Sequence, residues 1–165
     1  MAQTFIDSNC LVNGNLTATT LVATSASITD AMVVAATGIQ ATKLQMQQEK
    51  HFSQESATAS TSGAWVTHVV YGATGTLVSI KAGSVVANVG AATVTVDVLK
   101  NGTTVLTGVI TLNNTHTAYQ LVAGTFSATS LVVGDVLEIK LVATAGGGTL
   151  AKGVFAEFVI REATT

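Results

Sequence analysis

The chain has 165 residues, enough for one ordinary domain with an appendage and too few for two large ones. It is 48% hydrophobic and only 10% charged, against about 25% charged in an average soluble protein, and it contains no proline. Its net charge of −2 with few, scattered Lys and Arg excludes the basic footprint that nucleic acid requires, so no nucleic-acid partner is expected. The near-apolar runs at 31–36 and 85–87 fall far short of the roughly 18 residues of a spanning helix, and no membrane partner is expected either. A surface this poor in charge must be covered by Thr, Ser, Ala, Gly and Asn, or be buried in another copy of the chain. The first ten residues carry no basic stretch followed by an apolar one, which predicts synthesis and retention in a cytoplasm until assembly. Cys10 is the only cysteine, so one chain can form neither an internal disulfide nor a multi-cysteine metal cluster, and Cys10 reads as a small buried hydrophobe.

Residues 1–42 hold no Lys, Arg or His, and their only charges are Asp7 and Asp30. Apolar residues recur there every six positions, at Leu16, Val22, Ile28 and Val34, with a second track at Leu21, Val33 and Ile39 that Ser27 interrupts. Six-residue recurrence with small residues between is the pattern of a β-helix, in which each short strand forms one side of a triangular coil. One chain supplies barely more than one coil, whereas stacked repeats need about three units to bury one another's faces. Three copies wound about one axis would supply what a single arm lacks. Two other readings stay open: a flexible Thr/Ala/Val-rich tail, and a helix capped by Asp30 that Gly38 would weaken.

Residues 1–46 therefore read as an oligomerising arm, and 47–63, rich in Gln, Glu, Ser and Thr, as a hydrophilic linker. Residues 64–165 read as a β knob whose first strand starts there or from about residue 51. Strands are expected at 65–71, 76–82 continuing to 86–89, 93–99, 103–112, 118–122, 136–142 and 154–160. Val94, Val96 and Val98 alternate with Thr93, Thr95 and Asp97, and Leu137, Ile139 and Leu141 alternate with Glu138 and Lys140. A period of two places the apolar set on one face of a half-buried strand. Asn101-Gly102 supplies the two positive-φ residues of a type I′ hairpin. In the last strand Val154, Ala156, Phe158 and Ile160 share one face, while Phe155 and Val159 fall on the other, so both faces of that strand are expected to be covered. With a strand around Phe52 the count is about eight, the number of a jelly-roll-like antiparallel β-sandwich.

Catalytic chemistry is poorly provided for. His51, His68 and His116 lie in separate segments without paired-ligand spacing, so no metal is expected within one chain. His51, beside Glu49, Lys50 and Glu55, reads as a solvated boundary, or else as one third of a cluster about a threefold axis. The four Asp and five Glu are scattered, the eight aromatics sit mostly in strands, and no serine has a Gly-x-Ser-x-Gly frame. Gly146-Gly147-Gly148 reads as a surface loop and not a phosphate cradle, because no helix start or Lys-Ser/Thr follows it. No cofactor and no enzymatic activity are expected.

Several stretches resemble structural proteins of tailed bacteriophages. One is the run from Asp30 to Gln45, with its Ile-x-x-x-Lys-Leu core. Others are Lys100-Asn-Gly-Thr-Thr-Val-Leu, Gly134-Asp-Val-Leu-Glu-Ile, and Gly146-Gly-Gly-Thr-Leu-Ala-Lys-Gly-Val-Phe, which look like small virion proteins of the head-decoration (cement) or head-fibre type. The resemblance spans most of the chain and rests on turn and repeat signatures. It implies a homotrimer on the capsid surface with an N-terminal arm, a C-terminal β knob and the major capsid protein as partner. Phe5, Ile6, Leu11 and Leu16, with Val22, Ile28, Val34 and Ile39, are the expected oligomer and capsid contacts. The competing expectation is a tail-fibre or receptor-binding module that recognises host glycan through the loops 113–116 and 145–149.

Overall fold

The computed structural model describes residues 45–72 and 74–163. Residues 1–44 of the arm, with its β-helical, flexible and helical readings, Cys10 and all eight expected contact residues from Phe5 to Ile39, lie outside the described residues.

The described residues form ten strands and no helix: β1 (Gln45–Ser53), β2 (Gly63–Val69), β3 (Thr74–Val86), β4 (Thr93–Lys100), β5 (Thr103–Thr104), β6 (Ile110–Leu112), β7 (Val122–Gly124), β8 (Ser130–Val132), β9 (Val136–Thr144) and β10 (Lys152–Ala163). They make two five-stranded sheets in which every pairing is antiparallel. One runs β1-β10-β3-β7 with β8 also on β3, and the other β2-β9-β4-β5 with β6 also on β4. The expected all-β sandwich is what forms.

Its core is where the period-two pattern places it. Val94, Val96, Val98, Leu137, Ile139 and Leu141 from one sheet meet Leu77, Ile80, Ala82, Val154, Ala156, Phe158 and Ile160 from the other. Burying a large apolar side chain contributes about 1.5–3 kcal/mol, and these central strands supply most of the driving force. Phe155 and Val159 do point outward from β10, and Val159 is nearly as buried as the core, because β1 and β3 flank β10 on both sides.

Two β-bulges correct a strict alternation. Between β3 and β10, Val159 pairs with Ser79 and Ile160 with Leu77, so Val78 is the extra residue and stays exposed while Leu77 turns inward. Between β2 and β9, Val66 pairs with Glu138 and His68 with Leu137. Thr67 is extra there, and the slip swings His68 and Val70 inward and Val69 outward.

Three features depart from the expected strand map. β1 begins at Gln45, inside the segment read as arm and linker, and pairs with β10 along its whole length. Gln48, Lys50 and Phe52 face inward and are half-buried, while Gln47, Glu49, His51 and Ser53 face solvent. The stretch looks like a linker because it is an edge strand, where charge, including inward-pointing charge, discourages further pairing. The single strand expected at 103–112 is broken: Val105 and Leu106 are both buried as the chain bends across to the other sheet, where Leu106 bridges Phe126. The strand expected at 118–122 starts only at Val122, after a turn with Tyr119 at φ 61°. The hairpin at Asn101-Gly102 forms as expected, with φ of 52° and 79°.

Phe158 lies at the centre of β10 with no exposed surface. Phe158→Ala should lower unfolding free energy by about 3–5 kcal/mol, the range for deleting a buried phenyl. In urea the midpoint should fall with an unchanged slope.

Candidate functional site

The two lateral sides of the sandwich differ. On the β5–β8 side the broken edge strands are stitched across the sheets: Thr107 N–H donates to Thr125 O at 2.9 Å, Ser127 N–H donates to Val105 O at 2.8 Å, and Leu106 bridges Phe126. On the opposite side β1 and β2, the longest edge strands, pair only inward, with β10 and β9. The gap between them is filled by side chains. The rings of Phe52 and Trp65 lie 4.8 Å apart at 39° and close one half. A polar chain closes the other half: Lys50 Nζ donates to Gln48 Oε1 at 2.6 Å, Gln48 Nε2 donates to Glu162 Oε2 at 3.0 Å, and Glu162 Oε1 lies 2.8 Å from His68 Nε2. Glu162 is buried and links both sheets, which only the bulge at Thr67 permits.

A groove of about 620 Å³ opens over the aromatic half, walled by His51, Gln54, Glu55, Thr58 and Thr61 around Phe52 and Trp65. The size suits a small ligand. Gln54 is already engaged, donating to Thr61 O at 2.8 Å and accepting from Thr61 N–H at 3.3 Å. His51 lies on the outer face of its sheet, 3.9 Å from Glu49 and 3.8 Å from Glu157. Among the described residues no three His, Cys, Asp or Glu side chains converge as metal ligands, and there is no helix long and apolar enough to cross a membrane.

The loops at 54–62, 87–92, 113–121 and 145–151 leave strand ends at one pole of the sandwich, away from the point where the chain enters at Gln45. Both loops considered for glycan binding are here, and both are internally bonded. Asn113 Oδ1 accepts from Thr115 N–H at 3.0 Å and lies 2.9 Å from His116 Nδ1, so the imidazole folds back onto its own turn. The glycine loop is tied down by paired Val89–Thr149 backbone bonds of 2.9 and 3.0 Å, with Gly146 and Gly147 at positive φ and Gly148 packed against the Val89 carbonyl. Tyr119, absent from the expected site, stands out at this pole. It is exposed, and its left-handed backbone conformation costs about 1–3 kcal/mol for a bulky residue. Its N–H donates to Ser84 O at 2.8 Å. The sequence signal was the turn-forming Asn113-Asn114 and Thr115–Thr117 run just before it.

The other pole carries the second buried carboxylate. Asp135 accepts from Val132 N–H at 2.9 Å and from Asn101 Nδ2 at 2.7 Å, with Lys100 Nζ at 3.7 Å; Asn101 Oδ1 in turn accepts from Val136 N–H at 2.8 Å. The two turns at 101–102 and 133–135 are thereby clamped together. The backbone N–H of Val132, then Asn101 and Lys100, hold the Asp135 carboxyl below its ordinary value against the opposing effect of burial. No protein-family model matches the chain, and no curated protein matches it significantly.

Because its folded pKa is depressed, Asp135 contributes stability that is present above its unfolded pKa, about 3.9, and lost as pH falls through the lower folded value. Asp135→Asn should therefore lower stability at pH 7 and flatten its loss between about pH 4 and the folded value, measured by urea unfolding across that range. An unchanged acid limb would contradict the clamp.

Proposed function

We propose that this chain is a non-enzymatic structural virion protein that decorates a tailed-bacteriophage capsid, binding as a homotrimer to the major capsid protein at junctions between shell subunits. The observation that carries this reading is the asymmetry of the sandwich: one lateral side is stitched shut and the other presents the outer edges of two long strands, the first of which follows the charge-poor arm in the chain. The strand order supports it. Counting β5 with β6 and β7 with β8 as two broken strands gives eight, ordered 1-8-3-6 and 2-7-4-5, the double Greek key of a jelly roll. The sequence resemblance to head-decoration and head-fibre proteins points the same way. A protein that binds assembled shells but not free subunits stabilises the shell by mass action, by about 2.7 kcal/mol per site at a hundredfold excess over Kd. The knob acts as a stiff cap, the arm gathers three copies, and the particle surface is the site of action after synthesis in the host cytoplasm.

Deleting residues 1–44 should leave a knob that unfolds cooperatively and loses at least tenfold in affinity for shells that lack the protein, read by co-sedimentation. Full-length protein that stays in the supernatant would overturn the reading.

The exposed Tyr119 at the loop pole, together with the Phe52–Trp65 groove, favours a second reading as a tail-fibre or receptor-binding module for host glycan, since aromatic faces are the usual platform for sugar rings. Trp65 is the only tryptophan and lines the groove, so its emission reports on occupancy. A saturable emission change with bacterial surface oligosaccharides would favour glycan recognition in the groove; the decoration reading predicts none.

A further inference from the structure

We infer that Asn101 is a site of spontaneous deamidation held in check by Asp135: ring closure onto Gly102 is blocked while the clamp between the two turns is shut, and once it has occurred the clamp cannot close again. The reaction needs only water. The Gly102 nitrogen, on losing its proton, attacks Asn101 Cγ; a C–N bond forms, the Cγ–Nδ2 bond breaks and ammonia leaves. Water then opens the resulting succinimide at either carbonyl, so the net change is amide plus water to carboxylate plus ammonium, as aspartate or isoaspartate. Glycine after asparagine is the most reactive pairing in an unfolded chain, because no side chain shields the attacking nitrogen. The chain holds two such pairs, Asn13-Gly14 and Asn101-Gly102, and only the second lies among the described residues.

At that pair the nucleophile is available and the electrophile is restrained. Asn101 and Gly102 are both exposed, Gly102 N–H makes no hydrogen bond among the described residues, and nothing lies within 4 Å of where a Gly102 Cβ would stand. The Asn101 amide, by contrast, is held at both ends on the neighbouring turn. Its Nδ2 donates to Asp135 Oδ1 at 2.7 Å and its Oδ1 accepts from Val136 N–H at 2.8 Å. Ring closure requires Cγ to turn toward Gly102 N in an attacking geometry and Nδ2 to depart, so both bonds must be given up. The one to the carboxylate is charge-assisted and is the stronger of the two. The product cannot restore it. Aspartate at position 101 has no side-chain N–H to donate, and its carboxylate would face that of Asp135, a like charge. Isoaspartate adds a backbone atom to a two-residue turn closed by Lys100 opposite Thr103, which has no slack for it. Deamidation is thus a one-way opening of this pole.

The test follows full-length protein at fixed pH and temperature, folded and in guanidinium chloride. Peptide mass spectrometry reads conversion at Asn101, with fragment ions separating it from Asn13 and Asn114. Folded protein should convert at least about tenfold more slowly than unfolded, and folded Asp135→Ala protein at least about tenfold faster than the unaltered chain, the factor that one charge-assisted hydrogen bond carries. Equal rates in folded and unfolded protein, an unchanged rate in Asp135→Ala, or an acceleration shared equally by Asn114 would overturn the inference. Asn101→Asp, which supplies the product directly, tests the irreversible step and does not depend on Asp135→Ala folding. It should lower the urea midpoint at neutral pH well below that of an Asn114→Asp control, and a midpoint equal to the control's would overturn the one-way opening.

Discussion

Everything in the knob depends on one packing constraint: alternate residues of β4, β9, β3 and β10 must meet between the two sheets. With a side-chain period of two, a one-residue slip would expose the entire apolar set, so the register of these four strands is fixed by burial. The bulges at Val78 and Thr67 are the local adjustments that keep this set inside where strict alternation would fail. The Thr67 bulge has two further effects, since it brings His68 to Glu162 inside the sandwich and sends Val69 to the surface.

Polar groups inside the knob join elements that the apolar core cannot hold. Asn88 accepts from Ala151 N–H and donates to Leu112 O, each at 2.9 Å, while Ser60 donates to Ala151 O at 2.7 Å, tying three loops to one point at the loop pole. Asp135 and Asn101 perform the same task at the opposite pole, and Glu162 performs it across the open side. Each buried polar atom left without its partner would cost about 1–3 kcal/mol, which makes these networks specific as well as stabilising. Because both poles are fixed in this way, the knob is suited to present surfaces and needs little rearrangement to do so.

Much of the fold was legible in the sequence. The alternation at Val94–Val98 and Leu137–Leu141 and the Asn101-Gly102 turn were strong local signals, and the sandwich follows from them. Only the end of β1, around Phe52, was legible; its start at Gln45 was not, because its residues look like a linker: an edge strand is meant to be hydrophilic, and only its pairing with β10, more than a hundred residues away, makes it a strand. The break at 105–109 was hidden for a related reason, since Val105 and Leu106 are both buried and only the bridge from Leu106 to Phe126 on the other sheet reveals the bend. The groove at Phe52 and Trp65 and the polar chain from Lys50 to His68 beside it are products of tertiary arrangement. Their residues were visible singly, and nothing in their spacing joins them.

We propose above that three copies of this chain cap a junction between shell subunits. Electron cryomicroscopy of shells mixed with purified protein tests it most directly. The account predicts three-lobed density over junctions between shell subunits, of a size that accommodates three knobs. Bare junctions, or density confined to the tail, would contradict it.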